Sequence, residues 1–311
     1  ETCLKALELG FSSIMYDCST DSYDENVKSL MNGSIYQKDS GGDPIDIPSI
    51  TYQELIDFHN KWYRPDNCFV FLYGNIPTLE QLDFIQEKFL TRLEKKYTDL
   101  KTSVEDQQEN LDNFLSIIKS KKNEKEIIYN TLGPAGDSDE KGMTVSINWN
   151  MGTNPTAEKT IEKTILYGVL MNHDGSPLKK VLLDSKLCED ISPITGFATS
   201  YEMIFTIGLR GVKKRNSLKI KQLIFSTLKQ IVESGISKQD IDSVLMGIEL
   251  SLREIKRFHG PYSLIIMQNP IIAWLYGFDL EKSFRLRSVF EKEIFFKIYS
   301  SASGYLKLTF L

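Results

Sequence analysis

The chain has 311 residues, of which 41% are hydrophobic and 25% charged, and its formal net charge is −5. These values are typical of a globular protein large enough for two domains, and the negative charge provides no basic surface for nucleic acid. The longest apolar run, at 264–276, is interrupted by Gln268, Asn269 and Pro270, so it is shorter than the roughly 20 residues of a membrane-spanning helix. We therefore expect no nucleic acid partner and no membrane partner.

The cysteine pattern indicates the redox compartment. Cys3, Cys18, Cys68 and Cys188 are widely spaced and form no C-x-x-C pair. This favours a soluble protein of a reducing compartment, such as the cytosol or an organelle matrix, over a disulfide framework. The chain begins at Glu1 without a methionine and shows no signal or transit segment, so we expect it to be part of a longer protein.

The first hundred residues predict a helix, a strand and a second helix. Thr51 and Glu54 have the spacing of a capping box that begins a helix, and Pro65 ends it. The apolar run 68–73 predicts a short buried strand. From Thr78 onward, apolar residues recur at helical spacing, which predicts a long amphipathic helix.

A change of composition follows these elements. Residues 101–126 are polar and charged, with a few apolar residues among them, and predict a linker between two domains. Two strands are predicted after it, at 127–132 and 143–151. The second strand alternates apolar and polar residues from Val145 to Asn150, the pattern of a strand with one buried face.

The remainder of the chain predicts mainly helices. In chain order these elements are helices at 157–171 and 176–185, a strand at 201–212, helices at 218–234 and 237–257, and a further helix at 280–300. Gly235 lies between the two long helices as a C-cap. This order of elements favours an α+β fold, in which an antiparallel-rich sheet has helices packed on one face.

Zinc-dependent and nucleophilic catalysis are not indicated. The three histidines, His59, His173 and His259, do not have the spacing of H-E-x-x-H or H-x-x-E-H, and a catalytic zinc needs three protein ligands that converge. We therefore expect no metal site in this chain. No G-x-S-x-G motif occurs, and Cys188 has no base beside it in the sequence.

Two other patterns suggest ligand sites but have simpler structural interpretations. The run 175–180 lacks the second glycine of a phosphate-binding loop, and Ser176 before a proline is a good start for a helix. Asp39, Asp43 and Asp46 are acidic and close together, but their spacing is not that of an EF-hand. The proline among them favours a tight turn.

Several motifs occur in a fixed order along the chain. The first is the loop Ser40, Gly41, Gly42, Asp43 and Pro44. It is followed by a helix containing Phe58-His59, by Tyr63-x-Pro65-x-Asn67 and by Tyr73-Gly74; a second block comprises 176–183, 205–212 and 248–254. This succession resembles the pitrilysin-type zinc metallopeptidase family, in its presequence protease and falcilysin branch, over roughly residues 23–285.

The resemblance implies a fold and indicates which part of a complete family member carries the catalytic residues. Members of this family carry four similar α+β domains in two halves that close around an unfolded peptide. Their zinc is held in the first domain by an inverted H-x-x-E-H motif and a more distal glutamate, which would lie upstream of the recognisable region. Residues 12–15 do not supply that glutamate, and the substrate-stabilising arginine and tyrosine belong to the other half. No catalytic residue is therefore carried over to this chain, and zinc is expected only in the missing part of a complete member.

The resemblance also suggests domain boundaries. They are the C-terminal part of an incomplete first pitrilysin-like domain at 1–100, a polar linker at 101–126, a second pitrilysin-like domain at 127–290, and a tail at 291–311 that begins the helical linker between the halves.

The expected function follows from these boundaries. We expect a non-catalytic segment, or inactive-domain member, of a peptide-degrading zinc metalloendopeptidase that forms part of a peptide-binding chamber, which the loop 40–44 would line. Its partners would be unfolded peptides or the remaining half of the peptidase. The alternative is a scaffold or partner subunit that associates with an active metallopeptidase through an exposed apolar face. A self-contained enzyme of another type would need a site that the sequence does not show.

Overall fold

The computed structural model describes the parts of the chain on which the fold can be followed. They are residues 30–31, 33–38, 42, 44–72, 74–94, 96–97, 104–121, 143–153, 156–199, 201–255, 261–278, 281 and 283. The helices are α1 Tyr52–Trp62, α2 Thr78–Ile85, α3 Thr91–Glu94, α4 Val104–Ile118, α5 Ala157–Met171, α6 Pro177–Asp184, α7 Ser217–Ser234, α8 Lys238–Arg253 and α9 Tyr262–Leu275. The strands are β1 Met143–Thr153, β2 Asp190–Ile191, β3 Gly196–Thr199 and β4 Glu202–Val212.

Strand β4 lies at the centre of an antiparallel sheet. It pairs with β1 along one side, and with both β2 and β3 along the other. Between β2 and β3 the ladder is completed by a side chain, because Thr195 Oγ1 accepts from the backbone N of Gly208 at 2.9 Å and donates to its carbonyl at 3.0 Å. The two short strands thus form one interrupted edge.

The hydrophobic core lies between this sheet and the helices on one of its faces. Alternate residues of β4, Phe205, Ile207 and Leu209, are fully buried and face the helices, since side chains in a strand alternate between its two faces. The helices contribute buried residues at helical spacing; those of α5, α6 and α7 include Leu170, Leu178, Leu182, Ile220, Ile224, Leu228 and Ile231. The predicted α+β fold, with an antiparallel sheet and helices on one face, is confirmed.

A second cluster joins helices α5 and α8. Ile161, Ile165 and Val169 of α5 pack against Ile241, Val244 and Leu245 of α8. The helices approach closely at Gly168, where an added Cβ would lie only 2.5 Å from Cγ1 of Val244. The absence of a side chain at this position allows the contact.

The predicted linker at 101–126 contains helix α4. In this helix, Ile118 is buried at 1% exposure while most of its other described side chains are exposed, so the segment packs at its C-terminal end. The sequence showed this segment only as a polar stretch with scattered apolar residues. The domain boundaries at 1–100, 127–290 and 291–311 stay a prediction.

The strand predicted at 68–73 is wrong over its described part. Residues 68–72 form no strand, and Phe69, Val70 and Leu72 are 40–49% exposed. A short apolar run does not by itself specify a strand, because a strand needs a partner to satisfy its backbone groups, and the strand pairs of the described residues leave this run out. Phe69 instead contacts Trp274 of α9, with ring centroids 5.0 Å apart.

Other predicted elements differ in detail. The helix predicted from Thr78 is divided, since a π-helical turn at Gln86–Leu90 separates α2 from α3. Helix α9 was not predicted, because Pro270 and its polar neighbours were interpreted as an interruption, whereas the proline lies inside the helix. The strand predicted at 127–132 lies outside the described residues, as does the helix predicted at 280–300 except for residues 281 and 283, which are helical.

No helix in the described part of the chain has both the length and the apolar character that a bilayer crossing demands.

Candidate functional site

The predicted chamber loop is described only in part. Ser40, Gly41 and Asp43 lie outside the described residues. Gly42 has a φ of +81°, a conformation that glycine adopts without the strain of a side chain, and a Cβ added there would lie 3.3 Å from Cγ1 of Ile47. Pro44 follows within the turn. The described part of the loop is thus explained by turn geometry, and its place in a chamber stays a prediction.

The histidines of the described chain lie in separate elements. His59 is an exposed residue of α1 whose ring stacks on Tyr63 at 4.8 Å, and His173 lies in the turn between α5 and α6. His259, Cys3 and Cys18 lie outside the described residues. Within the part of the chain that the structure describes, no group of three or more His, Cys, Asp or Glu side chains could hold a metal ion.

The turn that resembles a phosphate loop is a helix start. Ser176 is fully buried, its hydroxyl accepts from the backbone N of His173 at 3.2 Å, and it donates to the carbonyl of Gly168 at 3.4 Å. Helix α6 begins at the next residue, Pro177. The prediction that Ser176 precedes a helix is confirmed.

Cys188 has the properties of a packing residue. Burial raises the pKa of its thiol above the usual value, and the nearby carboxylate of Asp190 adds to the rise. A raised pKa leaves less thiolate at neutral pH, which disfavours nucleophilic attack.

The face of the sheet that points away from the helices carries polar side chains from both long strands. On β1, Ser146, Asn148 and Asn150 alternate with core residues, and Asn148 lies opposite Thr206 of β4 in the register. Thr206 Oγ1 donates to Asn148 Oδ1 at 2.8 Å. Glu202, at the start of β4, lies on the same side as Thr206 by the alternation of strand side chains. We refer to these five residues as the polar face.

Glu202 is the ionisable group of the polar face. It is only 5% exposed. Its carboxylate accepts from the backbone N of Ser120 at 3.1 Å, from Asn150 Nδ2 at 2.7 Å and from the Ser120 hydroxyl. A buried carboxylate needs such donors because it has lost its hydration. Glu202 is therefore engaged in structural hydrogen bonds.

The polar face has the chemistry of a binding surface. Amide and hydroxyl groups donate and accept hydrogen bonds, as the main chain of an extended peptide does. Ser146 and Asn148 are half-buried, whereas Asn150 is exposed. The sequence revealed the alternation in β1, but Glu202 and Thr206 were missed because their place beside β1 depends on the strand register.

Comparisons with known proteins agree with this architecture. Residues 49–248 match the family described as Peptidase M16 inactive domain. Protein HypA of Clostridium perfringens is 30% identical over 281 residues, which cover 88% of this chain and 27% of that protein. The mitochondrial presequence protease of Xenopus tropicalis is 32% identical over 225 residues, which cover 72% of this chain and 21% of that protein.

Solved structures share the fold at low sequence identity. An M16-like peptidase from Alicyclobacillus acidocaldarius superposes with a TM-score of 0.53 at 14% identity, over 96% of this chain and 66% of that one. The first half of the periplasmic protease PqqL from Escherichia coli gives a TM-score of 0.54 at 13% identity, over 98% of this chain and 62% of that one. The chain spans about a quarter of the length of the curated relatives it matches. Because the family model covers most of its length, the chain belongs to the pitrilysin-type M16 peptidase family and contains the inactive domain of that family.

Proposed function

We propose that this chain is a non-catalytic segment of a peptide-degrading metallopeptidase and forms part of the wall of its peptide-binding chamber. On its own the chain does not cleave peptides. Zinc, if the complete protein uses it, is held by residues outside this chain. Relatives named presequence proteases support unfolded peptides as the substrate class.

The observation that carries the proposal is the polar face. On this face Ser146 and Asn148 are half-buried and Asn150 is exposed, whereas Glu202 and Thr206 are buried. The opposite face of the sheet is fixed by the hydrophobic core. A surface of amide and hydroxyl groups suits peptides of varied sequence, because it recognises main-chain groups without selecting side chains. The loop 40–44 belongs to the same proposal as a second lining element.

Photo-crosslinking tests this assignment. An unstructured peptide that carries a benzophenone group is irradiated with the chain, and the crosslinked residues are located by mass spectrometry. We expect crosslinks on β1, and we expect Ser146→Lys to reduce them, since it places a long side chain on the polar face. The substitution removes the acceptor of Asn148 Nδ2, 3.4 Å away, but neither partner of the Asn148–Thr206 hydrogen bond. Ser226→Lys, on the exposed side of α7, is the control. Crosslinks that avoid β1 contradict the chamber role.

The absence of catalysis has its own test. Elemental mass spectrometry of the purified chain, after dialysis against buffer free of trace metals, measures bound zinc. We expect no stoichiometric zinc in the purified chain and no cleavage of the peptide. Stoichiometric zinc together with cleavage would contradict the proposal.

A second candidate function is that of a scaffold or partner subunit for an active metallopeptidase. It is favoured by the large apolar side chains exposed between residues 45 and 89, among them Ile45 at 84%, Tyr52 at 78% and Leu79 at 74%. Exposed apolar surface of this extent is typical of protein–protein contact. In the first proposal, the remaining part of the same peptidase covers this surface.

The two functions differ in their response to a complete, active family member. A scaffold binds that enzyme, whereas a segment of a peptidase finds its own position already occupied there. Analytical ultracentrifugation of the chain mixed with the active enzyme separates the cases: a stable complex supports the scaffold, and independent sedimentation supports the segment.

The compartment is inferred from the cysteines and the relatives. Widely spaced cysteines suit reducing conditions, and several relatives are named for mitochondria or chloroplasts. We infer the cytosol or an organelle matrix as the site of action.

A further inference from the structure

Helix α4 and the sheet meet at three polar residues, of which Glu202 is buried, Ser120 is half-buried and Asn150 is exposed. Ser120 follows α4 by two residues, Glu202 begins β4, and Asn150 lies near the end of β1. These positions are distant in sequence, with Ser120 separated from Glu202 by 82 residues. The three side chains therefore join the segment before β1 to the two long strands of the sheet.

The hydrogen bonds among these residues form a closed triangle. Glu202 Oε1 accepts from the backbone N of Ser120 at 3.1 Å, and Glu202 Oε2 accepts from Asn150 Nδ2 at 2.7 Å and from the Ser120 hydroxyl. Asn150 Nδ2 also donates to Ser120 Oγ at 3.3 Å. We refer to Ser120, Asn150 and Glu202 as the clamp.

The clamp depends on the charge of one group. A buried carboxylate binds its donors more tightly than a neutral acceptor does, because charge-assisted hydrogen bonds are stronger. Removing its charge leaves the donors of Ser120 and Asn150 with a weaker acceptor. Ile118, two residues before Ser120, is 1% exposed, so the C-terminal end of α4 is also held by apolar packing.

A second contact fastens the same region to α9. Tyr36 and Tyr276 share a hydrogen bond between their hydroxyls at 2.6 Å, and Phe114 of α4 stacks on Tyr276 at 6.3 Å. Leu111 approaches Gly277 so closely that a Cβ there would lie 2.7 Å from Leu111 Cδ2. Two separate points of contact fix a segment more firmly than one, since each reduces the entropic cost of the other.

We propose that Glu202 is a positioning residue. Its hydrogen bonds fix α4 to the sheet, so that residues 104–121 move together with β1 and β4 as one body. The described part of the predicted linker, residues 104–121, is thereby held rigidly against the sheet. This inference does not rest on the proposed peptidase role, because the clamp acts within the fold itself.

A swap of donor and acceptor tests the clamp. In Glu202→Gln, the new NH2 group meets a donor in either orientation of the amide, Asn150 Nδ2 or the backbone N of Ser120, so one hydrogen bond of the clamp is lost. In Asn150→Asp, two carboxylates face each other and repel. In the double variant, the amide of residue 202 donates to the carboxylate of residue 150, and the contact is restored. Glu233→Gln, at an exposed position on α7, is the control.

Amide hydrogen exchange within residues 104–121, measured by mass spectrometry on the full chain, provides the readout. We expect each single variant to exchange about tenfold faster there than the wild type, as expected for the loss of a charged hydrogen bond, and the double variant to return toward the wild-type rate. The amides of β4 beyond Thr206 keep their protection, which separates local opening from global unfolding.

The proposal is overturned by either of two results: exchange in Glu202→Gln that equals the Glu233→Gln control, or a double variant that exchanges as fast as the single ones. If Glu202→Gln does not fold, Ser120→Ala replaces it. This variant removes only the hydroxyl donor, so we expect a smaller acceleration of about threefold, and an unchanged rate overturns the proposal.

Discussion

Gly168 lies where α5 crosses α8, and its lack of a side chain decides how closely the two helices pack. An alanine Cβ would meet Cγ1 of Val244 at 2.5 Å, and a valine in a helix has little rotamer freedom with which to move away. We expect Gly168→Ala to lower the free energy of unfolding by about 1–2 kcal/mol, because overpacking outweighs the gain in helix propensity.

Gly247 of α8 is the matched control for this substitution. It too lies inside a helix, but nothing lies within 4 Å of an added Cβ. Gly247→Ala should therefore raise the free energy of unfolding by roughly 0.5–1 kcal/mol. Urea denaturation compares the two variants, and equal effects would show that the α5–α8 contact is loose.

Lys163 of α5 gives the stability a predictable dependence on pH. Burial, with a smaller effect from the charge of the neighbouring Lys159, lowers the pKa of its amine from 10.5 to about 8. Between pH 8 and 10.5 the unfolded chain binds more protons at this site than the folded chain, so the free energy of unfolding rises with pH across that window. Below pH 8 this contribution is constant, because both states are protonated.

Lys163→Met should remove this rise and stabilise the protein below pH 8, where burial of the charge is unfavourable. Lys229→Met, at an exposed position on α7, should leave the rise in place. Urea denaturation across the window measures the difference between the variants. If the free energy of unfolding still rises with pH in Lys163→Met, the rise comes from another ionisable group.

At the scale of elements, β4 contributes several fully buried apolar side chains to the core. Phe205 is fully buried and lies between Trp149, at 5.6 Å, and Phe197, at 4.9 Å. We expect Phe205→Ala to lower the free energy of unfolding by about 3–5 kcal/mol. Phe225 of α7 also contacts Trp149 but is 46% exposed, so Phe225→Ala should cost less than about 1.5 kcal/mol. Circular dichroism in urea follows both, and equal losses would contradict this placement of the core.

Elements with a strong period were predictable from the sequence. The alternation in β1 and the helical spacing in α5 and α7 gave their type and their bounds to within a few residues. The strand prediction at 68–73 was wrong over its described part, because a run of apolar residues indicates burial but does not identify a partner strand. The polar face was not predicted as a site. The alternation in β1 placed Asn148 on the face opposite the core, whereas Glu202 comes beside it only through pairing across the sheet.

At the scale of the whole molecule, apolar surface is unevenly distributed. The sheet and helices α5–α8 enclose buried apolar clusters, whereas α1, residues 68–72 and α2 contribute no buried residue and leave large apolar side chains exposed. The chain spans about a quarter of its curated relatives, and in the proposed function the remaining part of the peptidase covers the exposed surface. The sequence alone gave the family from its motifs, but it did not reveal which surfaces lack cover.

The exposed segment should therefore govern association of the chain in solution. We expect sedimentation velocity to show oligomers that increase with concentration, because exposed apolar area favours contact between copies. Leu79→Lys with Leu82→Lys, at positions of α2 that are 74% and 54% exposed, should restore the monomer by adding charge to that surface. Leu218→Lys with Met246→Lys, both 64% exposed on α7 and α8, adds the same charge elsewhere and should leave association unchanged. If both pairs of substitutions reduce association equally, net charge controls association. The exposed apolar surface between residues 45 and 89 would then not be the site of contact.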